Sequence, residues 1–140
     1  MLEPIIVAAE NFCIHQLRVK HKLSDELTQT RTLIAYIDIE TSDSIKHRVY
    51  LAAQENFIQR VSMLYLEEDE SDKETLTDMI LELANLVIGS AKVLAEEEDK
   101  NPFTISTPNF EKLDIFDYEY DQSKVISVEN DEMILAIKEL

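Results

Sequence analysis

The 140 residues are 45% apolar and 30% charged, with 13 Lys and Arg against 29 Asp and Glu for a formal charge of −16. That length suits one domain over 1–140, and the apolar fraction excludes a disordered chain. The charge excludes nucleic acid and anionic membranes as partners, since no Lys and Arg cluster is evident that could neutralise their phosphates.

Pro4 to about Lys22 reads as a helix, with Pro4 in the first turn and Ile6, Val7, Phe12, Ile14 and Leu17 opposite Glu10, Gln16 and Lys20. Ser24-Asp25 breaks it. Thr32 to Glu40 alternates, placing Leu33, Ala35, Ile37 and Ile39 on one face of a strand. Thr41 to Ser44 is a turn cluster, and Ile45 to about Leu51 reads as a second, antiparallel strand. Ala52 to Leu66 is helical again, with Phe57, Ile58, Val61, Leu64 and Tyr65 as core candidates. Glu67 to Asp72 reads as a solvated acidic connector, although its oxygens also suit calcium. Ser71 and Glu74 form a capping box for a helix whose apolar period runs from Leu76 to Leu94 and stops at Asn101-Pro102. Glu96 to Asp99 oppose the helix dipole and predict a frayed last turn. Phe103 to Thr107 is a short strand. Asp114 to Asp121 alternates but carries four acids and two tyrosines; it reads as an edge strand or a loop, with a partly ordered connection preferred. Lys124 to Glu129 and Met133 to Glu139 form a hairpin about Asn130 to Glu132. The order predicts an α+β fold, helices packed on an antiparallel sheet, with a hint of two similar halves.

Several chemistries drop out. Gly89 is the only glycine, so there is no glycine-rich phosphate loop, dinucleotide fingerprint or EF-hand loop. His15, His21 and His47 lack zinc spacing. No run reaches the ~20 apolar residues of a membrane span. The acidic start lacks the basic region of a signal peptide, and the lone Cys13 cannot form an internal disulfide; together they predict a cytoplasmic location. Cys13 has no base beside it and reads as a buried small hydrophobe.

The long helix carries what remains. At about 100° per residue, Asp78, Glu82, Asn85 and Gly89 share one stripe, while Ile80, Leu83, Ala84, Val87, Ala91 and Leu94 centre on the opposite face. Leu81, Ile88 and Leu86 flank the stripe. Asp78 and Glu82 repel at i,i+4, and a mid-helix glycine costs about 1 kcal/mol against alanine. A solvated face explains the acids; a docking face explains both the repulsion and the glycine.

The spacing of Asp78, Glu82, Asn85 and Pro108, D-x3-E-x2-N-x22-P, resembles the signature of the CheC/CheX/FliY family of chemotaxis phosphatases, and ELANLVIGSAK, Glu82 to Lys92, looks like that family's active-site helix. Two-site members carry a second E-x2-N on the first helix. Here Glu10 is followed at that spacing by Cys13, so the chain is similar to the single-site CheX branch, whose members are typically homodimers. The resemblance implies a phosphatase acting on the aspartyl phosphate of a CheY-like receiver. Glu82 would pair with the receiver's lysine and Asn85 would orient the attacking water; Asp78, Gly89 and Pro108 would be supporting residues. No cofactor of its own is implied, because the magnesium sits on the receiver. A non-catalytic receiver- or motor-binding module on the same fold is the alternative.

Overall fold

A computed structural model describes residues 1–27 and 29–140. Helix α1 (Glu3–Asn11) runs on as a π-helical segment (Phe12–Leu17). Then come β1 (Lys22–Ser24), β2 (Arg31–Thr41), β3 (Lys46–Ala53), α2 (Glu55–Leu66) and α3 (Lys73–Glu97). The chain closes with β4 (Phe103–Ile105), β5 (Asn109–Ile115), β6 (Gln122–Val128) and β7 (Asp131–Glu139). The strands form one antiparallel sheet in the order β1-β6-β7-β3-β2-β4, with β5 also paired to β2. This is the α+β architecture expected from the sequence. No helix among the described residues is long and apolar enough to cross a membrane.

Alternation in β2 sends Leu33, Ala35, Ile37 and Ile39 into the main core, where they meet buried residues of all three helices. The β2–β3 turn is closed by the Thr41 N–H on the Ile45 carbonyl at 2.9 Å, with Ser44 left-handed at φ 67°. The Thr41 hydroxyl bonds the Asp43 carboxylate and, at 3.1 Å, the Ile45 carbonyl.

Among the described residues the other sheet face has no helix. It carries a second cluster of Ile34, Tyr50, Ala52, Val125, Ile134 and Ala136, capped by Phe116. After β5 the chain crosses this face to reach β6. Tyr118 stacks on Tyr50 with ring centres 5.0 Å apart, and Phe116 meets Tyr50 edge-on at 5.4 Å. The Tyr118 hydroxyl donates to Glu111 Oε2 at 3.1 Å. Burial and the Glu111 charge push its phenol up to about 12. Asp121 ties the far end down: its N–H donates to the Ile137 carbonyl at 2.8 Å, and its Oδ2 accepts the Glu139 N–H at 2.7 Å. The acidic segment thus begins as the end of β5, with Asp114 and Ile115 in an edge strand as one of the two readings has it, and continues from Phe116 as an ordered aromatic strap, which corrects the preferred expectation of a partly ordered connection. Inward Phe116 and Tyr118 alternate with outward Asp117 and Glu119.

Other boundaries also moved. The first helix ends at Leu17, not near Lys22, because Arg18 turns left-handed at φ 58° and the His21 ring pairs back to Glu10 at 2.8 Å. The freed residues make β1, which the sequence did not announce. Helix α3 is capped by Asp72, whose Oδ1 accepts the Thr75 N–H at 2.8 Å, and that bond holds its carboxyl below the usual carboxylate range. Ser71 is not the cap. Gln59 takes its N–H at 2.8 Å, and its hydroxyl donates to Glu68 at 2.8 Å, locking the α2–α3 connector. The last turn of α3 is closed, not frayed. Lys100 N–H bonds the Ala95 carbonyl at 3.0 Å and Asp99 N–H the Glu96 carbonyl at 3.2 Å, with Asp99 left-handed at φ 52°. Those two crossing bonds satisfy carbonyls that the acidic side chains cannot.

Candidate functional site

Helix α3 runs 25 residues without interruption and packs on both α1 and the sheet. Ile80, Leu83, Ala84, Val87, Ile88 and Ala91 are buried along its inner face. That leaves Asp78, Glu82 and Asn85 exposed and Gly89 partly exposed on the outer one. Ile88 is not the apolar shoulder expected of it; Leu81, half-buried, holds that side, and Leu94 is only half-buried. The side chains of Asp78, Glu82 and Asn85 make no hydrogen bond or ion pair among the described residues. Lys92, a nearby cation of the helix, is engaged with Glu96 at 3.8 Å. Two carboxylates and an amide therefore stand on a rigid rod with their bonding capacity unused. A cation and a hydrogen-bonding ligand from outside are what they can take.

Gly89 is conspicuous by position. Six non-glycine residues, Arg18, Ser44, Glu67, Asp99, Asn101 and Glu129, have positive φ, the conformation in which glycine is cheapest. The sole glycine lies instead mid-helix, and a Cβ built on it meets nothing within 4 Å. Nothing inside the chain requires its lack of a side chain.

Beside the stripe a groove of about 380 Å³ runs between α3, the end of α1 with its π-helical continuation, and α2. Leu86, Ser90, Asn11, His15, Gln16 and Tyr65 line it. Sequence reasoning missed this groove and placed Tyr65 and Leu64 in the core. Both are exposed, at 43% and 39%. The signal was available: Met63 to Leu66 are four apolar residues in a row, more than one helix face can bury. Partial burial and the charge of nearby Glu82 push the Tyr65 phenol up. Pro108, half-buried, lies in the β4–β5 turn and does not line the groove. Both strands it joins pair with β2 and touch α3. Cys13 is fully buried, and burial with Glu10 nearby pushes its thiol up to about 11, so it holds its proton at neutral pH and is no nucleophile.

Comparison with known proteins bears on this helix. Residues 35–135 match the family model of the chemotaxis phosphatase CheX. The structure is similar to chemotaxis protein CheX from Vibrio vulnificus, with a TM-score of 0.79 at 16% identity, covering 98% of this chain and 97% of that one. It is also similar to chemotaxis protein CheX from Desulfovibrio desulfuricans, with a TM-score of 0.76 at 14% identity, covering 99% and 98%. The complex of CheX with CheY, BeF3 and Mg2+ from Borrelia burgdorferi matches with a TM-score of 0.67 at 15% identity, covering 98% and 97%. No curated protein matches the sequence.

Proposed function

We propose, since this chain belongs to the CheX family of chemotaxis phosphatases, that it hydrolyses the aspartyl phosphate of a CheY-like receiver through Glu82 and Asn85. The observation that carries the proposal is the pair itself: a carboxylate and an amide one turn apart, exposed and unpartnered on the outer face of a continuous helix. Glu82 pairs with a lysine of the receiver and fixes the helix over its phosphorylated aspartate. Asn85 enters the site, and its amide holds a water in line with the phosphorus. The water oxygen bonds to phosphorus as the bond to the aspartyl oxygen breaks; inorganic phosphate leaves and the receiver's carboxylate is regenerated. Positioning and charge supply most of the catalysis in phosphoryl transfer. A neutral amide suits this place because a carboxylate would be repelled by the phosphoryl oxygens. Magnesium belongs to the receiver. Asp78 and Pro108 support the helix and its backing strands without touching the reacting atoms. The chain pairs as a homodimer; sedimentation equilibrium showing only the monomer mass would reject that pairing.

The test is the decay of a CheY protein phosphorylated with acetyl phosphate, with and without this protein. Wild type accelerates the decay, and Glu82→Ala raises KM more than it lowers kcat, as loss of an anchor should. Binding without acceleration leaves only the docking module. That alternative is carried by the same exposed stripe.

Gly89 gives a second expected result. Gly89→Ala raises stability by about 1 kcal/mol, an increase in Tm of about 3 °C, because the added methyl meets open space. The same methyl stands one turn from Asn85 and weakens binding of the receiver. A rise in Tm with KM unchanged would show that no partner backbone approaches Gly89.

A further inference from the structure

The charge of this chain is a problem for the reaction proposed. A surface at −16 meets a target whose phosphoryl group and magnesium-holding carboxylates are themselves anionic. At low ionic strength two such bodies repel. The acids are not spread evenly, however. Between Glu10 and Asp25 there is none, and this stretch carries Arg18, Lys20 and Lys22 together with His15 and His21. These are too few for a nucleic-acid track, but the fold concentrates them.

Arg18, Lys20 and Lys22 are exposed, and none has a carboxylate partner among the described residues. Arg48, Arg60, Lys92, Lys112, Lys124 and Lys138 are in ion pairs, and the other cations outside them, Arg31, Lys46, Lys73 and Lys100, are scattered singly along the sequence. His21 is held by Glu10 at 2.8 Å, which fixes the course of the segment over α1. Ile14, Arg18, Lys20 and His21 share one open surface. His15 and Gln16 line the groove on the other side of the π-helical segment.

The direction of α1 sets where this patch lies. Pro4 and Val7 sit beside Leu94, and Asn11 and Phe12 beside Leu86 and Val87. Helix α1 therefore runs antiparallel to α3, and its π-helical continuation heads towards the Glu82 end of the stripe before the chain turns at Arg18 and returns along α1, where His21 meets Glu10. Tyr65, which senses the Glu82 charge, lines the same groove as His15.

We infer that Arg18 and Lys20, flanked by Lys22, form an electrostatic docking patch for the anionic rim around the receiver's phosphorylated aspartate. It lies on the far side of the π-helical segment from the groove that borders the Glu82–Asn85 stripe. The inference rests on the proposed function, because it names the receiver as occupant. The patch steers encounter and does not touch the reacting atoms; its residues set the association rate and KM and leave kcat alone. Charge complementarity is the argument. Three unpaired cations in five residues, on an acidic chain, stand beyond the π-helical wall of the groove that borders a site whose proposed substrate is an anion.

The experiment measures association of a CheY protein loaded with beryllofluoride and magnesium, by stopped flow, across a salt series. Wild type is compared with Arg18→Glu/Lys20→Glu and with Lys46→Glu/Lys100→Glu. The second pair makes the same change in net charge at exposed, unpaired cations away from the groove. The patch variant is expected to associate about fivefold or more slowly at low salt, with the difference shrinking as salt rises. Its kcat on phosphorylated CheY stays within twofold of wild type. The remote pair should lose much less. Equal losses from both pairs, or none from the patch, overturn the inference while leaving the phosphatase reading intact. A patch variant that changes sedimentation mass but not CheY association overturns it in favour of a second copy of the chain. Failure of wild type to bind loaded CheY removes the proposed function itself, and the patch loses its occupant.

Discussion

Asn85→Ala is expected to lower kcat on phosphorylated CheY by about 10²-fold or more while changing KM little. The side chain is exposed, makes no internal hydrogen bond and packs on nothing in the core. Its loss therefore leaves the fold and Glu82 in place and removes only the group proposed to hold water against the phosphorus. Asn85→Asp separates orientation from charge. It keeps the shape, but it adds an anion where the phosphoryl oxygens stand, so it should lose binding as well as turnover. Single-turnover decay of the phosphoreceiver at saturating protein gives kcat directly, and anisotropy with the beryllofluoride-loaded receiver gives affinity. An alanine variant that retains more than a tenth of wild-type kcat would move the water-holding role away from Asn85. Glu82, the other unpartnered group of the pair, would be next to examine.

The second large effect is expected on the opposite side of the sheet. Phe116→Ala should destabilise the chain by about 3 kcal/mol and lower Tm by roughly 10 °C. Phe116 is 5% exposed and touches Tyr50, Tyr118 and Tyr120, and its cluster is the only hydrophobic cover on that face among the described residues. Removing the ring leaves a void that the strap cannot close, because it is tethered by β5 at one end and by Asp121 at the other. The stripe proposed to act on the receiver lies beyond the sheet and α3's own inner face, so kcat/KM should stay within twofold at temperatures where the variant is folded. Urea unfolding gives the stability change. A loss below about 1 kcal/mol would mean that the strap covers the face without being packed into it.

Legibility of the sequence followed the reach of the forces involved. The β2 alternation and the α3 period depend on burial of one face of one element, and both were readable to within a few residues. So was the stripe of Asp78, Glu82 and Asn85, which depends only on helix pitch. The cap was misplaced by one residue because Gln59, twelve residues away, competes for Ser71. The end of the first helix was misjudged because Arg18 adopts a left-handed turn with no glycine to mark it. The run Met63 to Leu66 signalled that one helix face could not bury all four residues, but the groove itself could not be read: it needs α1, α2 and α3 side by side, and Tyr65 belongs to it through that packing. The strap was obscured for a related reason. Its alternation of aromatics and acids is legible, but the apolar sheet face that makes the aromatics worth burying is assembled from β2, β3, β6 and β7.

The position of β7 has a consequence for how the molecule comes into being. This strand, the last in the chain, lies inside the sheet between β6 and β3. Its partner β6 in turn holds β1, through pairs such as Lys22 with Ser127. During synthesis the β2–β3 hairpin and all three helices leave the ribosome with the middle of their platform missing. Ile34, Tyr50 and Leu51 remain open to other chains until the final segment arrives. The sheet therefore closes only once β7 has been made, after every other element described above. Closure of pairs about a hundred residues apart sets its folding rate. An extension fused after Leu140 continues from an interior strand, so its bulk acts on the step that finishes the fold.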